Sequence, residues 1–93
     1  MKETAEVLTI IETVIRNVVN NQTLAVKADS RLVEDLGLES IDLLDVSSEL
    51  ENSIGRELDF REVAEFAKAK SGRPADLKSI RVSDMIEYIQ ANP

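Results

Sequence analysis

Apolar residues recur at three- and four-residue steps in separate segments of this 93-residue chain, and this spacing predicts helices. The first segment runs from about Glu3 to Asn20, with acids at its start and Arg16 near its end, as the helix dipole favours. Its many β-branched residues would also permit a strand over 9–15, but the length of the periodic pattern favours a helix. Its apolar face consists of Val7, Ile11, Val14, Ile15 and Val18.

A second helix is predicted from Ser40 to about Ser53, with Gly55 ending it. A third begins at Asp59, whose side chain can cap the first turn together with Glu62 three residues later, and it ends before Gly72. The apolar stripe of the second helix is Leu43, Val46, Leu50 and Ile54, and that of the third is Val63, Phe66 and Ala67.

The last predicted helix runs from about Arg81 or Val82 to Gln90, with Val82, Met85 or Ile86, and Ile89 buried.

The stretch from Gln22 to Glu39 shows no regular spacing of apolar residues. A loop of this length is uncommon unless it is functional or anchored, and we expect its apolar residues to anchor it: Leu24, Val26, Leu32, Val33, Leu36 and Leu38. The sequence therefore predicts one all-α domain spanning residues 1–93, a four-helix bundle with a long loop between helices 1 and 2.

Composition excludes several classes of function. The chain contains no Cys and no His, so thiolate nucleophiles and the usual zinc ligands are missing. A pI near 4.5 argues against nucleic acid as a partner. The acidic start and the lack of a long apolar run indicate neither a signal peptide nor a membrane span. A cationic protein partner is the natural complement.

The net charge of -7 is concentrated in one region. No basic residue lies between Arg31 and Arg56, whereas seven acids do: Glu34, Asp35, Glu39, Asp42, Asp45, Glu49 and Glu51. Like charges at helical spacing destabilise an isolated helix, so acids kept on this face suggest a docking surface for basic partners. The alternative is an ordinary solvated face.

Ser40 lies within this acidic region, directly after the Gly37 turn and at the predicted start of the second helix. Serine is a preferred N-cap residue, so a capping role is the simplest interpretation. Residue 43 is Leu rather than Glu or Gln, so no capping box centred on Ser40 competes for its hydroxyl. An accessible, modifiable hydroxyl is therefore compatible with the same position.

The stretch from Asp35 to Asp42, DLGLESID, resembles the acyl carrier protein family, in which Asp-Leu-Gly-x-Asp-Ser-Leu-Asp opens the second helix. The resemblance extends to the amphipathic first helix, to residues 29–32 and to residues 82–89. It implies that Ser40 carries 4′-phosphopantetheine, attached covalently from coenzyme A by a phosphopantetheinyl transferase. The thiol of that arm would carry acyl groups as thioesters between partner enzymes of fatty acid, polyketide or related biosynthesis, and the carrier would not be an enzyme itself.

The resemblance also implies how partners and cargo are held, in a monomeric, cytoplasmic protein of acyl-carrier-protein fold. Docking to basic patches of acyl ligases and synthases would use Glu39, Ile41, Asp42, Asp45 and Glu49. An acyl chain would enter between the second and third helices, along Leu44, Val46, Leu50, Val63 and Phe66, although these residues suit an ordinary core equally well.

Departures from the family pattern indicate a specialised member. Glu39 and Ile41 replace the common Asp and Leu on either side of the serine, and Ser48 stands where a hydrophobic contact residue is common. Residues 59–79 extend the third-helix region. An aminoacyl or peptidyl carrier, a domain excised from a modular synthase, and an unmodified acidic helical binding module remain alternatives. A carboxylate-based hydrolase has no base paired with Ser40, and an EF-hand would require Leu32 at a ligand position.

Overall fold

Within the part of the chain that the structure describes, four helices form the framework of the protein. A computed structural model describes residues 3–55, 58–72 and 79–91. The helices are α1 (Thr4–Val18), α2 (Ser40–Ile54), α3 (Phe60–Ser71) and α4 (Val82–Ala91). The described residues contain no strand, only an isolated bridge between Arg31 and Arg81. The predicted all-α four-helix fold is confirmed, and each helix begins and ends close to its predicted bounds.

Helix α1 lies at the centre of the packing, against both α2 and α4. Its apolar face is buried as its spacing predicts: Val7, Ile11, Val14 and Ile15. The helix ends at Val18, and the chain then turns through Asn20, which has a positive φ of 54°. Asparagine tolerates this left-handed conformation better than most residues, which explains how the chain turns at Asn20 once the helix has ended.

The long connection between α1 and α2 is held down by most of the apolar side chains expected to anchor it. Four of the six are buried, namely Val26, Leu32, Leu36 and Leu38, whereas Leu24 and Val33 are half-buried. Backbone hydrogen bonds add a second attachment: the Leu32 amide donates to the Ile80 carbonyl at 3.0 Å, and the Val82 amide donates to the Ser30 carbonyl at 2.9 Å. The loop is therefore fixed to the start of α4 before it reaches α2.

Helix α3 packs chiefly against α4. Phe66 and Tyr88 meet edge to face with ring centroids 5.8 Å apart, and Lys70 pairs with Glu87 at 2.8 Å. The Tyr88 hydroxyl donates a hydrogen bond to Glu62. The predicted capping pair at the start of α3 is thus half correct. Asp59 does cap the helix, accepting from the Arg61 amide at 2.8 Å, but Glu62 turns towards α4 instead of completing a box.

The core is aliphatic, since its fully buried side chains are mainly Ile, Leu and Val. Within the described ranges, no helix is both long and apolar enough to cross a membrane. Residues 73–78, in the later part of the extension expected over residues 59–79, lie outside the described residues.

Candidate functional site

The chain reaches α2 through a tight turn over residues 31–37. The Gly37 amide donates to the Val33 carbonyl at 3.1 Å, and Gly37 has a φ of 71°, a left-handed conformation that a side chain would strain. The turn reverses the chain so that the Leu38 amide donates to the Leu32 carbonyl at 3.1 Å. Leu38 is buried, whereas Glu39 and Ser40, which follow it, are exposed. The helix therefore starts at the surface.

The N-cap of α2 is Glu39, so the expectation that Ser40 caps this helix is wrong. Ser40 occupies the first helical position. Asp42 Oδ2 accepts a hydrogen bond from the Glu39 amide at 2.9 Å, and this bond closes the first turn from the other side. With the turn closed in this way, the Ser40 hydroxyl is not needed as a cap. It is exposed and has no hydrogen-bond partner among the described residues.

An open groove of about 410 Å³ lies between the start of α2 and the start of α3. Within the described residues, these two helices do not pack closely against each other. One hydrogen bond crosses beside the groove, from the Ser47 hydroxyl to the Leu58 carbonyl. The groove is lined by Ser40, Leu43, Leu44, Ser47, Leu58, Asp59, Phe60 and Arg61. It therefore places a largely apolar surface directly beside the free serine hydroxyl.

The seven acids around Ser40 are not equally available. Arg31 pairs with both Glu34 and Asp35, and it holds Asp35 at 3.2 Å. Hydrogen bonds from the Arg31 side chain and backbone lower the pKa of the Asp35 carboxyl below its usual range. The same carboxylate raises the pKa of Arg31. Within the described residues, five of these acids lack an ion pair: Glu39, Asp42, Asp45, Glu49 and Glu51.

The predicted docking residues lie on one exposed part of α2. Ile41 has 64% of its surface exposed, an unusual value for a large apolar side chain in a small protein. Asp45 and Glu49 are exposed on the same helix, while Asp42 is half-buried and occupied in closing the first turn. The structure thus brings acids and one apolar side chain together beside Ser40.

Three of the five predicted cavity residues, Val46, Leu50 and Val63, belong to one buried core cluster, whereas Leu44 and Phe66 lie outside that cluster. Leu44 lines the groove and is 72% exposed. Val46, Leu50 and Val63 are completely buried in the core. Phe66 is half-buried against Tyr88.

Six of the groove residues were not predicted as part of the site: Leu43, Ser47, Leu58, Asp59, Phe60 and Arg61. The position of Leu58 between two predicted helix ends is a signal that could have identified it, because a connection so short must lie close to both helices. Arg61 offers a similar signal, since it lies in the first turn of α3 and is the first base after the acidic region whose position the structure describes.

Comparison with known proteins assigns the chain to a class. The sequence model of the family described as a phosphopantetheine attachment site matches residues 5–71, which extend from α1 to the end of α3. The chain therefore belongs to the phosphopantetheine attachment site family, whose members are non-catalytic carriers with a covalently attached 4′-phosphopantetheine. Such carriers work with a phosphopantetheinyl transferase and with synthases or ligases. No curated protein matches the sequence significantly.

The residues at the start of α2 fit this prosthetic group. Covalent attachment requires an accessible nucleophilic oxygen, and the Ser40 hydroxyl is exposed and unpaired among the described residues. The group, when bound, supplies the thiol that the chain lacks, because the sequence contains no cysteine. The described residues contain no cluster of acids arranged to hold a metal ion.

Proposed function

We propose that Ser40 is the residue that carries 4′-phosphopantetheine and that the protein is an acyl carrier protein. The observation that carries this proposal is the free, exposed Ser40 hydroxyl at the first position of α2, inside the region matched by the family. In the transfer, Ser40 Oγ attacks a phosphorus of coenzyme A and 3′,5′-adenosine diphosphate leaves. A base on the transferase accepts the serine proton, since no described residue of this chain accepts a hydrogen bond from the Ser40 hydroxyl.

The acids on α2 support a role in partner docking. Glu39, Asp45 and Glu49 are exposed and lack ion pairs within the described residues. Complementary charge raises the rate of encounter and fixes orientation without requiring tight binding, which suits a carrier that must leave each partner. Ile41 supplies an apolar contact within this acidic surface, and Asp42 maintains the helix start from which the surface projects.

An acyl cargo fits the groove better than a polar one. Leu44, Leu58 and Phe60 line it beside Ser40, and burying apolar cargo surface there is favoured by about 25 cal/mol per Å². A chain that extends past the groove would have to enter the core between Val46, Leu50 and Val63 and reach towards Phe66.

The attachment is tested by measuring intact-protein mass after incubation with coenzyme A, magnesium and a phosphopantetheinyl transferase. We expect the wild-type chain to gain one phosphopantetheine and the Ser40→Ala variant to gain none. Ser48→Ala is the matched control, because Ser48 is an exposed serine on the same helix. A wild-type mass that stays unchanged with several transferases would leave an unmodified acidic binding module as the function.

The cargo class is tested on the loaded protein by comparing a medium-length acyl thioester with an aminoacyl thioester. We expect the acyl form to shift the methyl and ring NMR signals of Leu44, Leu58 and Phe60 relative to the free-thiol form. Equal, small shifts from both cargoes would contradict an acyl-binding groove, and larger shifts from the aminoacyl form would favour an aminoacyl carrier.

A further inference from the structure

Arg61 and the proposed attachment serine, Ser40, line the same groove. Ser40 lines the groove from the first turn of α2, and Arg61 lines it from the first turn of α3. Of the eight described residues that line it, Arg61 is the single base and Asp59 the single acid. A cation therefore lines the same groove as the oxygen that would carry a phosphodiester.

The Arg61 guanidinium is not committed elsewhere in the described structure. Arg16 pairs with Glu12, Arg31 with Glu34 and Asp35, and Arg81 donates to the Asp29 carbonyl. Arg61 makes no such contact with any described residue.

The acids nearest to Arg61 in the sequence are engaged with other groups. Asp59 accepts a hydrogen bond from the backbone amide of Arg61, and Glu62 accepts one from Tyr88. The Arg61 side chain is thus left exposed at the groove, with its charge available to a ligand.

A phosphodiester on Ser40 would need a nearby positive charge. Glu39 and Asp42 flank Ser40 in the first turn of α2, and neither forms an ion pair within the described residues. Their negative charges oppose an added phosphate, although the positive end of the helix dipole favours it. An arginine fork is well suited to phosphate oxygens, because it offers several N–H donors in one plane.

We propose that Arg61 binds the phosphodiester that links the prosthetic arm to Ser40 and so directs the arm along the groove between α2 and α3. This inference rests on the proposed function. Arg61 would then be a positioning residue for the arm. The anion that it binds is the phosphodiester, because attachment to Ser40 fixes the position of that group. A carboxylate at the far end of a cargo is a poorer candidate for the anion bound by Arg61, because this chain does not fix its position.

The test uses the loaded protein with a free thiol, so that cargo makes no contribution. Loading is first verified by intact mass. The ³¹P chemical shift of the phosphodiester is then compared between wild type, Arg61→Gln and Lys68→Gln. Lys68 is a matched control, because it is an exposed cation on the same helix and does not line the groove. We expect Arg61→Gln to move the ³¹P signal, and Lys68→Gln to leave it at the wild-type position.

A second measurement needs no variant. The Arg61 Nε–Hε signal of the wild-type protein is recorded before and after loading, and we expect it to shift on loading and to return partly as salt is raised.

A third measurement compares the accessibility of the arm in wild type and Arg61→Gln. We expect alkylation of the thiol to be faster by about two- to five-fold in the variant, because one exposed charge pair is lost.

The outcomes separate this inference from the proposed function. Failure of the wild-type chain to gain mass overturns both. A gain in mass with an unchanged Arg61 Nε–Hε signal and an unchanged ³¹P shift overturns the role of Arg61 alone. An equal ³¹P change in Lys68→Gln would also overturn it, because a general loss of charge would then explain the effect.

Discussion

At the scale of single residues, the start of α2 separates two roles that the sequence assigned to one serine. Serine is a common N-cap, so the pattern alone favours capping by Ser40. In the structure, the N-cap is Glu39. Asp42 closes the first turn by accepting a hydrogen bond from the Glu39 amide. Which of two adjacent residues caps a helix depends on backbone geometry that the sequence pattern does not resolve. The shift by one position leaves the serine hydroxyl free.

Asp42 therefore has a structural role in addition to its charge. We expect Asp42→Ala to lower the free energy of unfolding by about 0.5–2 kcal/mol, the usual cost of losing a side-chain cap. Asp45→Ala is the control, because Asp45 is exposed one turn later and makes no capping bond. Urea denaturation of both variants measures the difference. Equal stability of the two would show that the bond from the Glu39 amide contributes nothing.

The Arg31–Asp35 pair predicts a pH dependence of stability. The pKa of Asp35 is lowered in the folded protein, chiefly by its hydrogen bond from Arg31, so the unfolded chain binds the proton more tightly. The contribution of this pair is present above the ordinary aspartate pKa of about 4 and is lost as the pH falls below it.

We expect the stability difference between wild type and Asp35→Asn to be largest near neutral pH and to shrink below about pH 4. Urea denaturation across that range measures it, and NMR titration of Asp35 should show its midpoint rising in Arg31→Gln. A stability difference that stays constant with pH would contradict the role of the pair.

At the scale of helices, apolar spacing and glycines predicted the bundle well. Gly55 is the C-cap of helix α2. Its φ of 76° is a left-handed conformation, which glycine adopts more readily than other residues. Contacts between residues far apart in the sequence were not predictable in the same way. The bridge between Arg31 and Arg81 and the bond from Tyr88 to Glu62 depend on how the elements pack, and no local pattern encodes them.

Exposure was equally hard to predict within a helix. Leu43 and Leu44 are adjacent leucines, yet Leu43 is buried and Leu44 is 72% exposed. The spacing placed Leu43 on the core face with Val46 and Leu50, but it could not show that α2 and α3 leave a groove beside Leu44.

The Ser47–Leu58 hydrogen bond joins α2 to the segment that precedes α3. Removal of the half-buried Ser47 hydroxyl leaves the Leu58 carbonyl without this donor, so we expect Ser47→Ala to lower the free energy of unfolding by about 0.5–1.5 kcal/mol. Ser48→Ala, which removes an exposed hydroxyl, should change it by less than about 0.5 kcal/mol. Thermal or urea unfolding distinguishes the two, and identical effects would argue against a connecting role for Ser47.

At the scale of the whole molecule, charge is distributed unevenly. Arg31 compensates the two acids at the start of the acidic region, so the acids of that region that lack an ion pair among the described residues run from Glu39 to Glu51, at the start of α2 and along it. Beyond this region, ion pairs join Glu12 with Arg16 and Lys70 with Glu87. This acidic surface on α2 suits the basic partners that we propose.

We expect the double variant Asp45→Asn/Glu49→Gln to associate with a basic phosphopantetheinyl transferase roughly two- to ten-fold more slowly at low salt, because long-range attraction accelerates encounter. Raising the salt concentration should reduce the difference. Glu65→Gln is a control for loss of charge on α3. Stopped-flow association kinetics measure the rates, and a wild-type rate independent of salt would contradict electrostatic docking.

Attachment of the prosthetic arm at Ser40 can be located by tandem mass spectrometry of the loaded, intact chain. Fragmentation shows where along the sequence the added mass lies. We expect every fragment carrying the phosphopantetheine to contain Ser40, and the fragments ending at Glu39 or beginning at Ile41 to lack it. Added mass on Ser47, Ser48 or any residue other than Ser40 would show that the arm is not attached at Ser40.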